Sequence, residues 1–312
     1  MTGTGAMAMR AVWSFWSKPG QAGQGYRWRE PIHHLLAWGL SFRLAQAHYP
    51  ETVLVTDSPG RALLIDRLGL PFTHVSTELD RLEEVDPGWW ALGKLVAYSL
   101  QDRPFVHLDT DVFLWRPLPD RLAGAPVLAQ SPETYHVADD QCGPRIVENA
   151  FARAGLVLPA EWEWSRSRPA RRFLEANCGI LGGTNVSFIQ CYARLALDLV
   201  LSPRHAAAWA TVPDKTSLNT TMEQFLLTAC VEFHRFDPGS PHRGVHLRYL
   251  FPSVGAAFDP AQAARLGFTH LLAEAKQDAQ VTARLEERVS REDPAFYDLC
   301  KRVAGSASGG MP

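Results

Sequence analysis

A chain of 312 residues, 46% hydrophobic and 10% aromatic, carries enough apolar surface for a substantial core. Its 31 basic and 33 acidic residues leave a formal charge of −2, which excludes a global field for nucleic acid or anionic membrane. No apolar run reaches the roughly 20 residues that span a bilayer, so no transmembrane segment is expected. The start, MTGTGAMAMRAVWSFWSKPG, lacks the cationic-then-apolar order of a signal peptide. The cysteines (Cys142, Cys178, Cys191, Cys230 and Cys300) are scattered, without zinc-site spacing or a disulfide framework. The expected setting is the cytoplasm, with reduced thiols.

Residues 1–8 read as a loose leader. MRAVWSFW predicts a first strand, ended by the turn-rich SKPGQAGQG. PIHHLLAWGLSFRLAQAHYP predicts a helix, with Pro31 in its first turn and Leu36, Leu40 and Leu44 recurring every fourth residue. TVLVTD is a second strand, SPGRALLIDRLGLP a short helix capped by Ser58, and FTHVS a third strand. WWALGKLVAYSL is a helix leading into PFVHLDTDVFLW. Strands alternating with helices at this spacing predict an α/β domain with a mainly parallel central sheet flanked by helices. Ligands of such sheets collect beyond the carboxyl ends of the strands, where Asp57, Asp109 and Asp111 fall.

The second half is less regular. PVLAQ reads as a strand, GPRIVENAFARAG as a helix and Trp162–Arg172 as a polar loop that could cover a ligand. NCGILGGTNVSFIQCYARLALDLVL reads as strand, glycine turn and long helix capped near Asn185 or Ser187. TMEQFLLTACVEF is a further helix, GVHLRYLFPS and FTHLLAEAK follow, and QVTARLEERV is amphipathic. A single domain is expected over 9–300, with a nucleotide-binding half at 9–120 and an acceptor and sugar half at 121–300. The residues 301–312 read as a disordered tail.

The stretch RPFVHLDTDVFLWRPLP decides the functional reading, because unpaired carboxylates in a buried strand cost several kcal/mol each. Alternate side chains of a strand share a face, so Asp109 and Asp111 are expected to point the same way, with Thr110 opposite and Cα atoms about 6.5 Å apart. Two carboxylates so placed can share a divalent ion, and oxygen ligands suit Mg2+ or Mn2+. The plainer alternative is that the pair caps a loop or pairs with Arg103 or Arg116.

KLVAYSLQDRPFVHLDTDVFLWRPL resembles the segment around the Asp-x-Asp motif of GT-A fold glycosyltransferases, which use nucleotide-sugar donors. NCGILGG is similar to the Asn-x-Gly strand lining their sugar pocket, and MEQFLL to their acidic-Gln helix. His270, six residues before Lys276 in HLLAEAK, resembles the His-x-x-Gly-x-x-Lys element of the glycogenin-like retaining enzymes, with Ala273 in place of the glycine. The resemblance implies a Rossmann-like GT-A fold, a nucleoside-diphosphate sugar donor with UDP-sugars favoured, and a lean toward retention. It implies Asp109, Asp111 and His270 as ligands of Mn2+ (or Mg2+), and Lys276 on the diphosphate.

Further candidates follow by position. Ser14 and Phe15 end the first strand near a nucleotide base or ribose, and Tyr26 could stack on the base. Lys94 lies one helix before the aspartates and could reach the nucleotide or diphosphate. By the same resemblance, Asn177 and Gly179 would border the sugar, with Gly182 and Gly183 allowing close backbone approach. Glu223 could activate an acceptor hydroxyl, or Glu223 or Gln224 could back the anomeric carbon. Nothing fixes the acceptor. Two rivals remain: a haloacid-dehalogenase-type phosphohydrolase, with Asp139–Asp140 as its acidic pair, and a sugar- or nucleotide-binding module without turnover.

Overall fold

A computed structural model describes residues 9–23, 28–136, 143–167 and 172–307. Among them, seven strands form the main sheet in the order β3-β2-β1-β4-β7-β6-β8. β1 (Arg10–Phe15) lies between β2 (Thr52–Thr56) and β4 (Phe105–Leu108), parallel to both, and β3 (His74–Ser76) adds in parallel to β2. β7 (Arg172–Gly183) runs antiparallel to β4 and to β6 (Val127–His136), and β8 (Leu247–Tyr249) is parallel to β6. Only β7 therefore runs against the rest. The expected α/β architecture with a mostly parallel, helix-flanked sheet is what the chain adopts.

The inner strands read as near-continuous apolar runs because both faces of the sheet are covered. Alternate residues serve opposite layers: Val12 packs with Val53 and Leu95 on one side, Trp13 with Leu54 and Trp38 on the other. Helices Leu92–Ser99, Val186–Leu201 and Leu226–Phe236 supply the first layer. The second comes from Pro31–Gln46, Ala279–Glu292 and Pro294–Ala307. No helix among the described residues is long and apolar enough to cross a membrane.

Several local expectations are corrected. The aspartates do not sit within a strand. β4 ends at Leu108, and Asp109–Asp111 form a turn closed by the Val112 N–H on the Asp109 carbonyl at 3.0 Å. The chain then enters β5 (Val112–Leu114), which leaves the main sheet and pairs antiparallel with β9 (Phe268–His270). Asp57, rather than Ser58, caps the following helix, accepting from Gly60 N–H at 2.8 Å, while its other oxygen accepts from Ser17. Its carboxylate is thereby used structurally. Trp162–Ser167 belongs to a helix, Ala160–Ser167, because Trp162 is fully buried against Phe225. Helix Pro294–Ala307 runs through the position where a tail was expected to begin. The leader, Tyr26, Asp139–Asp140 and Cys142 lie outside the described residues.

Candidate metal and ligand cleft

The pairing of β5 with β9 builds the site. Val112 faces His270 in register, and the Leu271 N–H donates to the Asp111 carbonyl at 3.0 Å, so a segment some 160 positions downstream is fixed beside the aspartate turn. The Asp109 N–H donates to the Gly179 carbonyl at 3.0 Å, tying the same turn to β7. Ligand atoms of Asp109, Asp111 and His270 consequently lie within 4.8 Å of one another. Arg103 instead pairs with Glu51 at 2.7 Å and Arg116 donates to the Arg265 carbonyl at 3.3 Å, so neither arginine neutralises the pair.

The donor set fits a divalent cation. Gln130 Oε1 accepts from His270 Nδ1–H at 2.7 Å, which turns Nε2 toward Asp111 Oδ1 at 3.4 Å. A cation, whether a proton on Nε2 or a bound metal ion, can join that pair. Fixing a ligand histidine through its other nitrogen is the usual outer-shell arrangement of metal sites. Gly179 makes room for it: a Cβ there would come 2.4 Å from both Gln130 Oε1 and His270 Nδ1.

Two lysines meet the carboxylates, one at each aspartate. Lys276 Nζ contacts Asp111 Oδ2 at 2.6 Å. Lys94 Nζ contacts Asp109 at 2.9 Å and Glu223 at 2.7 Å, and donates to the Cys178 carbonyl at 3.1 Å. Burial opposes ionisation of Asp111, but His270 and Lys276 outweigh it and hold its carboxyl well below the usual range. Burial instead dominates at Asp109, where Asp111 also repels charge, so its pKa is raised despite Lys94. Burial works against the Lys94 ammonium, yet Asp109 and Glu223 together hold its pKa above the ordinary value.

A cleft of about 420 Å3 opens over this cluster. It is lined by Ser14, Phe15, Lys94, Asp109, Asp111, Asn177, Gly179, Glu223, Gln224, His270 and Lys276, so the sequence candidates converge on one site. Thr110 lines it too, as the turn geometry allows and the strand reading did not. Gly182 is not part of it. That residue sits between β4 and β6, and a Cβ there would fall 1.9 Å from the Phe105 carbonyl oxygen, so its small size serves strand packing. Gly183, at φ +140°, likewise abuts the Pro126 carbonyl rather than the cleft.

Glu223 differs from an open base. It is fully buried, and its Oε1 accepts from Tyr98 OH at 2.8 Å as well as meeting Lys94. Burial, with Asp109 adding to it, raises its pKa despite Lys94. Asn177 spans two neighbours, accepting from Gly179 N–H at 3.0 Å and donating to Glu133 Oε1 at 2.8 Å. Sequence reasoning missed Glu133 and His34, both lining the cleft, and Gln130. Glu133 and Gln130 come from β6, whose β-bulge between Ala129 and Ser131 re-aims side chains in a way no alternation pattern reveals. Ala273 holds φ +43°, a left-handed conformation at the place where the resembled motif has glycine.

A family model described as a family of unknown function (DUF6734) matches residues 9–303. The chain belongs to that family. No curated protein matches the chain.

Proposed function

We propose that this member of the DUF6734 family is a metal-dependent glycosyltransferase of GT-A fold, moving a sugar from a nucleoside-diphosphate donor to an acceptor. The observation that carries the reading is the convergence of Asp109, Asp111 and His270 within 4.8 Å, beside Lys276, in the cleft at the end of β1 and β4. Asp109, Asp111 and His270 would hold Mn2+ or Mg2+, and the mixed oxygen and imidazole set favours Mn2+. Such an ion, when bound, stabilises negative charge developing on a departing diphosphate.

The chain's own groups complete that chemistry. Lys276 lines the cleft against Asp111 and would transfer that contact to a diphosphate oxygen. Ser14 and Phe15 end β1 at the cleft wall and would border the nucleoside of a UDP-type donor. Asn177 and Gly179 would border the sugar. Lys94, bound to Asp109 and Glu223, orients the aspartate turn rather than meeting the nucleotide. With Glu223 buried under Lys94 and Tyr98, Gln224, which also lines the cleft, would back the anomeric carbon in a retaining transfer. Cys178, Cys191, Cys230 and Cys300 are free thiols, in keeping with a cytoplasmic setting.

A thermal-shift screen of nucleoside diphosphates and their sugars, with and without Mn2+, tests the reading. A ligand at a hundredfold excess over Kd should contribute about 2.7 kcal/mol of stability. Stabilisation by a nucleotide only in the presence of Mn2+ is expected, and its absence for every base sinks the proposal. Release of free sugar from the donor then separates a transferase from a binding module. Phosphate release from simple monoesters would favour a phosphohydrolase.

A further inference from the structure

The helix Pro31–Gln46 carries adjacent histidines that do different work. His33 is consumed structurally: its Nδ1 accepts from the Glu30 N–H at 3.1 Å, and its Nε2–H donates to Glu286 at 2.8 Å. His34 turns to the cleft, which it lines together with Phe15 and Lys276. There its Nε2 lies 3.1 Å from the indole N–H of Trp38, one turn along the same helix. An indole nitrogen only donates, so His34 Nε2 must be the unprotonated acceptor, and the ring proton of the neutral form sits on Nδ1. The ring is also fixed in place, edge-on to Phe15 at 5.7 Å between centroids and tilted against Trp38 at 6.5 Å.

Burial first, and then the nearby Lys276 charge, push the His34 pKa down to about 4 against the opposing pull of Asp111, so the ring is neutral at physiological pH. No acceptor among the described residues takes the Nδ1 hydrogen. We infer that His34 is a ligand-binding residue whose Nδ1–H donates to a phosphate oxygen of the donor, with Trp38 locking the tautomer. The inference rests on the transferase reading, since that reading puts a diphosphate beside Lys276. A neutral donor there adds a directed hydrogen bond without adding a second cation that would repel Lys276. A purely structural role would end at the Trp38 contact and would leave diphosphate affinity untouched.

Two measurements decide it. Long-range 1H–15N spectra of the free protein at pH 7 should show His34 as the neutral, Nδ1-protonated tautomer. Calorimetric titration with UDP and Mn2+ should show His34→Leu binding about tenfold more weakly than wild type, the usual scale for one hydrogen bond to a charged group. His34→Gln, which keeps an N–H donor, should recover part of the loss, and Mn2+ affinity without UDP should not change in either variant. An Nε2-protonated ring, or equal UDP affinity in wild type and His34→Leu, overturns the inference while leaving the transferase reading intact. A wild-type protein that binds no nucleoside diphosphate with Mn2+ overturns both.

Discussion

Two lysines meet carboxylates in one cleft and are held in opposite ways. Lys94, on a helix packed into the core, spans Asp109, Glu223 and the Cys178 carbonyl, and Glu223 is itself held by Tyr98. Lys276 stands on a short 3-10 turn, Ala273–Lys276, against Asp111, with the Trp28 ring 5.9 Å away. The first is a fixture that makes a buried pair of carboxylates tolerable; the second sits where an incoming anion can compete for it. One region supplies rigidity and the other supplies exchange, which is the division a metal-assisted transfer of a charged leaving group needs.

The largest test of this contrast removes each cation in turn. Lys94→Met strips the ammonium that contacts the fully buried Glu223, so a loss of about 3–5 kcal/mol is expected in urea denaturation. Lys276→Met removes the ammonium from the buried Asp111 alone rather than from two carboxylates, so a smaller loss of about 2–3 kcal/mol is expected, together with weaker UDP binding. Equal losses would erase the distinction.

A second prediction sharpens the acidic wall behind Asn177. Glu175 pairs across strands with Glu133, and burial, then Glu133, push its pKa up to about 8. An unfolded glutamate titrates near ~4.3, so the native state holds the extra proton between those two values and stability falls as pH rises through that window. The fall should be on the order of a few kcal/mol, and Glu175→Gln should largely abolish it in denaturation curves collected from pH 5 to 8. A wild-type curve flat over that range would contradict the assignment.

How much of this was legible in the sequence depends on the range of the interaction. β1, β2 and β4 announce themselves because strands covered on both faces must be apolar throughout. The aspartate doublet stands out because charge is expensive in such surroundings, and His270 and Lys276 stand out only through their resemblance to the His-x-x-Gly-x-x-Lys element. The turn at Asp109–Asp111 was hidden, since Val112–Leu114 continues the apolar run but pairs with a different strand, β9. Gln130 and His34 were hidden for a related reason: each matters through one contact with a residue that only the tertiary fold or the helix turn brings near. The helix at Ala160–Ser167 reads as polar until Phe225 arrives to bury Trp162.

Two smaller effects refine the exchangeable side. Gly179→Ala forces a methyl against His270 and Gln130, so a loss of about 1–3 kcal/mol should accompany a larger loss of Mn2+ affinity, read by titration. Ala273→Gly relaxes a left-handed backbone, and should raise the unfolding free energy by up to about 1 kcal/mol without changing the fold.

The central claim, that the aspartate turn and His270 jointly grip a divalent ion for a nucleotide ligand, is tested most directly by electron paramagnetic resonance titration of Mn2+ with and without UDP. The account predicts one Mn2+ bound per chain in the presence of UDP, lost in Asp111→Asn and in His270→Ala. Wild type that leaves Mn2+ free, or variants that bind it as wild type does, would contradict it.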